Sequence, residues 1–438
     1  MIFRVIANQG RKLSAYGLFS VNPDSFAAIL EDPSGAGRQF LVSSSGITQS
    51  LACDASAAAA SLFIAQWKTA VGAARQDSPA IRCLFYAAYE AGGLIESLPK
   101  AKTDLPGPLL WTHSPDYSLC FDDEDIYLSA TDEASLDAMT SMLAVPAGEA
   151  VGGLACDCPE ASVTSAALYM QAVEQVKAYI AAGDVFQANI ARFWSMPFNK
   201  RDLPGLYDQL RRVNPAPFSS FVRIGDGQAA GELTLLSASP ERLFRLHADG
   251  AVDTRPIAGT RRRAEGVQDD DALRAELLLS EKERAEHIML VDLERNDLGR
   301  VCKPGSVEVN ERMVIEQYAT VQHIVSNVRG MLEPGSDVVD LFKAMFPGGT
   351  ITGCPKVHCM EIIHELENNA RGPYTGGLGY VAWDGTADMN ILIRTFWHHE
   401  GKLNWAAGAG IVADSDPEQE LIETEHKAEG LLRALSVH

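Results

Sequence analysis

FPGGTITGCPK at residues 346–356 and EHIMLVDLERNDLGRV at 286–301 are the stretches from which the rest of this chain takes its meaning. The first is a run of glycines and small residues ending in a lysine. Glycine there lets backbone N–H groups come close to an anion. The second sets four acidic residues, Glu286, Asp292, Glu294 and Asp297, in an apolar, strongly structured segment. Anion-binding backbone beside clustered carboxylates predicts a metal-assisted site for a small acidic substrate.

The 438 residues, 46% of them hydrophobic, are enough for a large core and for two or three domains or one large body. A net charge of −21 with no basic stripe makes nucleic acid a poor partner. An anionic substrate approaching such a surface needs a local positive pocket. The eight cysteines are scattered. Cys156 and Cys158 form a C-x-C pair with no second pair, which argues against zinc. Free thiols of a reducing cytoplasm are the expectation. The start, MIFRVIANQGRK, has no apolar signal-peptide core, and no run reaches membrane-spanning length. A cytoplasmic protein with no membrane partner is expected.

Two regions are expected. Residues 1–160 form an α/β region rich in Ala, Ser and Gly, and 161–438 a second domain, with a linker near 145–159. FRVIA and QFLVSS read as strands and SAAAASLFIAQWKTAVGAAR as a helix. After the linker, Tyr169, Val173, Val176 and Ile180 recur at helical spacing until Gly183 stops the helix. Strands are expected at 185–193, 220–224, 233–237, 242–247, 376–383, 389–397 and 403–408. Helices are expected at 271–292, 338–345, 356–367 and 417–435. Strand runs with short turns, such as Trp383-Asp384-Gly385, favour an α+β fold of packed antiparallel β-sheets covered by helices.

Glu283 and Glu286 are three apart on one expected helix, and Glu420 and Glu423 three apart on another. Such residues share a helix face. Two faces opposed would offer four carboxylates to one hard cation such as Mg²⁺. Ordinary surface glutamates are the alternative reading of the same spacing.

From about Leu168 onward the chain resembles the chorismate-utilising enzymes: aminodeoxychorismate synthase component I, anthranilate synthase component I, and the isochorismate and salicylate synthases. The resemblance runs in order through GDVFQANIARF, SASPERLF, TRPIAGTRRR, AEHIMLVDLERNDLGRV, YATVQHIVSNVRG, GGTITGCPKVHCMEII, RGPYTGGLGY, DMNILIRTF, GAGIVADSDPEQE and ETEHKA. It implies Mg²⁺ held by Glu286 and Glu423, with Glu283 and Glu420 near or acting through water. It implies that Tyr374 and Arg394 hold a substrate carboxylate, a task that suits the planar guanidinium. Gly408 and Gly410 would present backbone N–H groups, Lys427 positive charge, and Thr260 and Thr350 hydrogen bonds. Glu241 would be the acid that protonates the departing hydroxyl. His323 matches a histidine linked to pyruvate elimination. Each residue alone also fits a structural role: an ion pair for Arg394, a turn for Tyr374, a partner of Glu423 for Lys427, a bulge for the glycines.

Two positions bear on the branch. Relatives that add water carry a lysine base where this chain has Gln187. An amide is no base, so ammonia is the expected nucleophile. Ala258 stands where many aminodeoxychorismate synthases have a lysine nucleophile and where anthranilate synthases have alanine. Against that, QANI, NPAPFSSF, DMNILIRT and FYAAYEAGGLIESLP resemble the aminodeoxychorismate branch. AAILEDPSG carries Asp32 where a tryptophan-binding serine stands in relatives. The expected function is Mg²⁺-dependent conversion of chorismate and ammonia to 4-amino-4-deoxychorismate, for para-aminobenzoate and folate synthesis. The alternatives are anthranilate synthase component I and a non-catalytic chorismate- or tryptophan-binding regulatory subunit. No glutaminase motif is evident, so a glutamine amidotransferase subunit is the expected partner.

Overall fold

The structure, a computed structural model, describes residues 1–8, 13–35, 37–72, 74–102, 104–143, 161–225, 232–262, 274–275, 279–317 and 321–436. The expected linker at 145–159, with Cys156 and Cys158, lies outside the described residues, as do the side chains of Ala258 and Thr260. Cys53, Cys83, Cys120, Cys302, Cys354 and Cys359 are free thiols. Among the described residues no helix is long and apolar enough to cross a membrane.

Two antiparallel sheets covered by helices make up the α+β body, with twelve and ten strands among the described residues. The first sheet runs Ile2–Ala7, Asp125–Ala130, Tyr117–Phe121, Gln39–Ser43, Phe26–Glu31, Phe218–Ile224, Leu233–Ser239, Thr395–His399, Lys402–Ile411, Gln187–Pro197, Gly353–Cys354, with Ser162–Val163 also beside Gln187–Pro197. The second runs Ile257–Arg262, Val321–Met331, Ala251–Thr254, Arg242–Leu246, Ala387–Ile391, Gly377–Ala382, Ile81–Ala87, Leu110–Pro115, Gly46–Leu51, with Glu308–Gln317 also on Val321–Met331. In each sheet the strands from before residue 144 form one contiguous block that joins a block of strands from after residue 160. Phe26–Glu31 pairs with Phe218–Ile224, and Ile81–Ala87 with Gly377–Ala382.

All seven residues of Leu233–Ser239 and of Ile81–Ala87 are buried, so these strands are covered on both faces. Phe40 of the first sheet meets Tyr380 of the second with ring centroids 4.8 Å apart. Trp67, on helix Ala57–Gly72, packs on Phe85 at 5.0 Å and Phe342 at 5.3 Å. Each large apolar side chain buried this way contributes about 1.5–3 kcal/mol.

Local signals account for several helices. Ser165 caps helix Ala166–Ala182 by accepting from the Leu168 N–H, and Gly183, at φ +84°, ends it in the left-handed region. Asp337 and Asp340 form a capping box on Val338–Met345. Lys356–Leu366 and Pro417–Ser436 match their expected spans closely.

Two expectations are corrected. The helix expected to end at 292 runs Glu281–Gly299, because no breaking residue intervenes before Gly299. The single strand expected at 389–397 is two strands in different sheets, Ala387–Ile391 and Thr395–His399. Between them Arg394 adopts φ +51°, and its carbonyl accepts from Ala238 N–H at 3.1 Å. Apolar alternation continues through the crossover, so the pattern hides the change of sheet.

Candidate active site

Strand Gln187–Pro197 lies antiparallel to Lys402–Ile411, with Asn189 opposite Gly410 and Ala191 opposite Gly408. Gln187 and Asn189 are two apart on a strand and so share a face. The buried Gln187 amide donates from Nε2 to Glu286 Oε1 at 2.9 Å. A Cβ on Gly410 would lie 2.2 Å from that nitrogen. A Cβ on Gly408 would meet Ile190 O at 2.6 Å, the Tyr374 hydroxyl at 2.7 Å and Asn189 Oδ1 at 2.8 Å. Both glycines therefore allow polar side chains to close over the strand.

Glu241 follows strand Leu233–Ser239 at the gap between the sheets. It is 8% exposed and accepts a hydrogen bond from Thr350 Oγ1 at 2.7 Å. Burial raises its pKa, opposed by the Thr350 hydrogen bond and the charges of Lys427 and Arg394. Burial lowers the pKa of Arg394, and the Glu241 charge opposes that. Among the described residues no hydrogen bond or ion pair engages the Arg394 guanidinium. It is a charged fork held in a desolvated place without a fixed partner, which is what an incoming carboxylate needs. Tyr374 is buried, with its ring edge-on to Phe193 at 6.3 Å, and burial raises its hydroxyl pKa. The phenol thus stays a neutral donor at physiological pH.

His323 lies on Val321–Met331, in register with Thr260 across the strand pair. Burial, then the Arg394 charge, lowers its pKa to about 4, against a backbone hydrogen bond with Gly259. Its imidazole is neutral near pH 7.

The glutamate pairs lie on the two expected helices. Glu283 and Glu286 are in the first turns of Glu281–Gly299, where Ser280 caps by accepting from Glu283 N–H. Glu420 and Glu423 are on Pro417–Ser436, Glu420 buried and Glu423 exposed. Lys427 pairs with Glu423 at 2.7 Å and donates to Gly408 O at 3.0 Å. It therefore ties this helix to the glycine strand as well as partnering Glu423. Among the described residues no group of three or more His, Cys, Asp or Glu side chains is placed to hold a metal ion. The donor set is all hard carboxylate oxygen and fits Mg²⁺ in chemistry. It is not gathered at one point, with Gln187 on Glu286 and Lys427 on Glu423 as cationic or N–H partners.

The loop at 346–356 differs from its sequence reading. A Cβ on Gly348 would lie 2.9 Å from Ile391 Cδ1, and one on Gly349 2.3 Å from Leu293 Cδ2. These glycines serve close packing against apolar side chains. Lys356 turns inward to Asp297 at 2.5 Å. Of the four acidic residues in the adjacent helix, Asp292 pairs with Arg295, Glu294 accepts from Thr254, and Asp297 takes Lys356. Only Glu286 reaches Gln187. Burial, then the Asp297 charge, raises the Glu294 pKa to about 8.

Sequence reading overlooked a buried ion pair beneath the site. Arg371, 1% exposed, binds Glu367 through Nε at 2.9 Å and Nη2 at 2.6 Å. The same guanidinium donates to Ile351 O at 3.0 Å and Asn189 O at 2.8 Å. Glu90 accepts from the backbone N–H groups of Arg371 and Gly372, at 2.7 and 3.0 Å. Glu367 follows the last residue of helix Lys356–Leu366, so the pair lies beyond the helix and no helical spacing announces it. Asp32 lies at a surface turn, where it accepts from Ser34 N–H at 2.9 Å.

The sequence profile of chorismate binding enzymes matches residues 26–433. The chain belongs to the chorismate binding enzyme family, and so to the chorismate-utilising enzymes. An anthranilate synthase component I-like protein of Synechocystis sp. is 44% identical over 351 residues, 79% of this chain and 71% of that protein. Aminodeoxychorismate synthase component 1 of Bacillus subtilis is 48% identical over 269 residues, 61% of this chain. That match spans 56% of the relative's own length, little more than half. The crystal structure of anthranilate synthase component I from Streptococcus pneumoniae TIGR4 matches with TM-score 0.75 at 27% identity, over 98% of this chain and 92% of that one.

Proposed function

We propose that this chain converts chorismate and ammonia to 4-amino-4-deoxychorismate, for para-aminobenzoate and folate synthesis, with Mg²⁺ bound and ammonia supplied by a separate glutamine amidotransferase. The observation that carries this reading is Gln187, a buried amide bound to Glu286 where water-adding relatives have a lysine base. With no base at this position, ammonia is the competent nucleophile.

Arg394 and Tyr374 hold one chorismate carboxylate by a charge-assisted fork and a phenol donor. Glu286 and Glu423, supported by Glu283 and Glu420, would hold the cation, whose charge neutralises the other carboxylate. Glu241, whose pKa burial raises, gives its proton to the 4-hydroxyl, and the C–O bond breaks with its electron pair leaving as water. The ammonia lone pair forms the C–N bond. The proton then shed by nitrogen balances the one Glu241 gave, so ammonia enters and water leaves. Thr350 orients Glu241, and Lys427 with the backbone of Gly408 and Gly410 lines the site. Asp32, engaged in its turn, supports a reading without tryptophan control.

Anthranilate synthase component I is the second reading. It is favoured by Ala258, which leaves no lysine nucleophile, and by the neutral His323, suited to accept the ring proton as pyruvate leaves. Product analysis separates the two. The chain is incubated with chorismate, Mg²⁺ and ammonium, and products are resolved by chromatography with mass detection. A product that keeps the enolpyruvyl group and yields 4-aminobenzoate with an added lyase is expected. Direct appearance of anthranilate and pyruvate transfers the assignment to the second reading, and no chorismate consumption removes both.

Gly408→Ala is expected to lower kcat/KM for chorismate by about 10²-fold, the usual effect of displacing a site by an ångström. The new methyl meets the Ile190 carbonyl, which is backbone and cannot swing aside. Parent-like kinetics would mean that the close approach at Gly408 is unrelated to turnover.

A further inference from the structure

Among the described residues, two buried amide oxygens on strand Gln187–Pro197 have no hydrogen-bond partner: Oε1 of Gln187 and Oδ1 of Asn189. Their residues are 4% and 8% exposed. A buried polar atom left unpaired destabilises a fold by about 1–3 kcal/mol, so two on one strand face imply an occupant. The orientation of Gln187 follows from chemistry. Only its NH₂ end can donate to the Glu286 carboxylate, which leaves the oxygen facing away. Gly408 lies across the strand pair and keeps the space beside Asn189 Oδ1 clear, as a Cβ there would come within 2.8 Å of that oxygen, while Gly410 leaves room for the NH₂ end of Gln187. The occupant must bring hydrogen-bond donors, be very small, and sit near the Tyr374 hydroxyl, which borders the same Gly408 space as Asn189 Oδ1.

We propose that Gln187 Oε1 and Asn189 Oδ1 form the seat for ammonia, with Asn189 as an ammonia-binding residue. This inference rests on the amination reading. Ammonia has three N–H groups and one lone pair. Donating two N–H groups to the two oxygens fixes the molecule and leaves the pair free to face the ring. A water molecule held the same way would still need a base, and neither amide is one. The seat therefore favours ammonia through what it lacks as well as what it offers. Asn189 is the cleaner probe, because Gln187 also engages Glu286.

The test is steady-state kinetics on the full chain with ammonium sulfate as the probe. Ammonium is varied at saturating chorismate and Mg²⁺, and chorismate at saturating ammonium. Asn189→Leu keeps side-chain size and removes the acceptor. It is expected to raise the ammonium KM about tenfold, the value of one hydrogen bond, with the chorismate KM unchanged. Asn189→Asp keeps an acceptor at the same reach and is expected to restore an ammonium KM near that of the parent. An unchanged ammonium KM in Asn189→Leu overturns the seat. So does a rise in chorismate KM alone, which assigns the oxygen to a substrate hydroxyl. Should the leucine variant fail to fold, Asn189→Ser, whose hydroxyl is too short to reach, is read the same way. A parent chain that consumes no chorismate with ammonium removes the amination reading and the seat together. Turnover with a flat ammonium response across the variants removes the seat alone.

Discussion

Glu241→Gln is expected to lower kcat for chorismate turnover by about 10²–10⁴-fold, the range for loss of a general acid, with the fold intact. Glutamine matches glutamate in size, and its amide oxygen can still accept from Thr350 Oγ1. What disappears is the proton for the departing hydroxyl. The pH dependence follows from the same burial. The carboxyl pKa is raised, chiefly by desolvation. The acid is therefore competent below that raised pKa, and the rate falls as pH climbs through it. In Glu241→Gln this alkaline fall should vanish from the residual rate. A variant with near-parent kcat, or one with an unchanged alkaline limb, would take the role from Glu241. Circular dichroism and thermal melting of the variant guard against a folding explanation.

Glu367→Ala should reduce unfolding free energy by about 3–5 kcal/mol, as when one partner of a buried ion pair is removed. Arg371 cannot shed its charge and has almost no solvent contact. Its hydrogen bonds to Ile351 O and Asn189 O would remain, but without the carboxylate the charge is uncompensated. The backbone N–H of Ala191, which Glu367 also satisfies at 2.9 Å, would be orphaned. Urea unfolding measures the loss. A change below about 1 kcal/mol, the range of ordinary surface substitutions, would sink the claim. The double variant Glu367→Met with Arg371→Met, which removes both charges and fills the space, should recover much of the stability. Because Arg371 links the 346–356 loop to strand Gln187–Pro197, the single variant should also loosen the Gln187–Asn189 face.

The interior of the site was partly legible. Glu241, Tyr374, Arg394, Gly408 and Lys427 were named from motifs, and the structure brings their segments together between two sheets. Arg371 and Glu367 were passed over, and Asn189 was read only as a branch marker within QANI. Their importance lies in partners more than 100 residues away for the Arg371–Asn189 contact, and no local window contains such a pair. The glycine loop misled for a related reason. Glycine permits close approach, but the sequence does not say whether an anion or a leucine approaches. At Gly349 it is Leu293. Four glutamates at helical spacing likewise said nothing of their partners, and two of them hold the Gln187 amide and the Lys427 ammonium.

By itself the sequence determined most helix positions and their caps, most strand segments, the ordered motifs of the family and the absence of a lysine at Gln187. These depend on capping, periodicity and residue chemistry over a few neighbours. Only the tertiary structure decided that residues 387–399 cross from one sheet to the other at Arg394, and that strands of the first 143 residues complete both sheets. It alone also decided that two amide oxygens are buried without a partner among the described residues. Strand pairing and burial are set by contacts between distant segments, and the free energy that selects one pairing exists only once all of them are packed together.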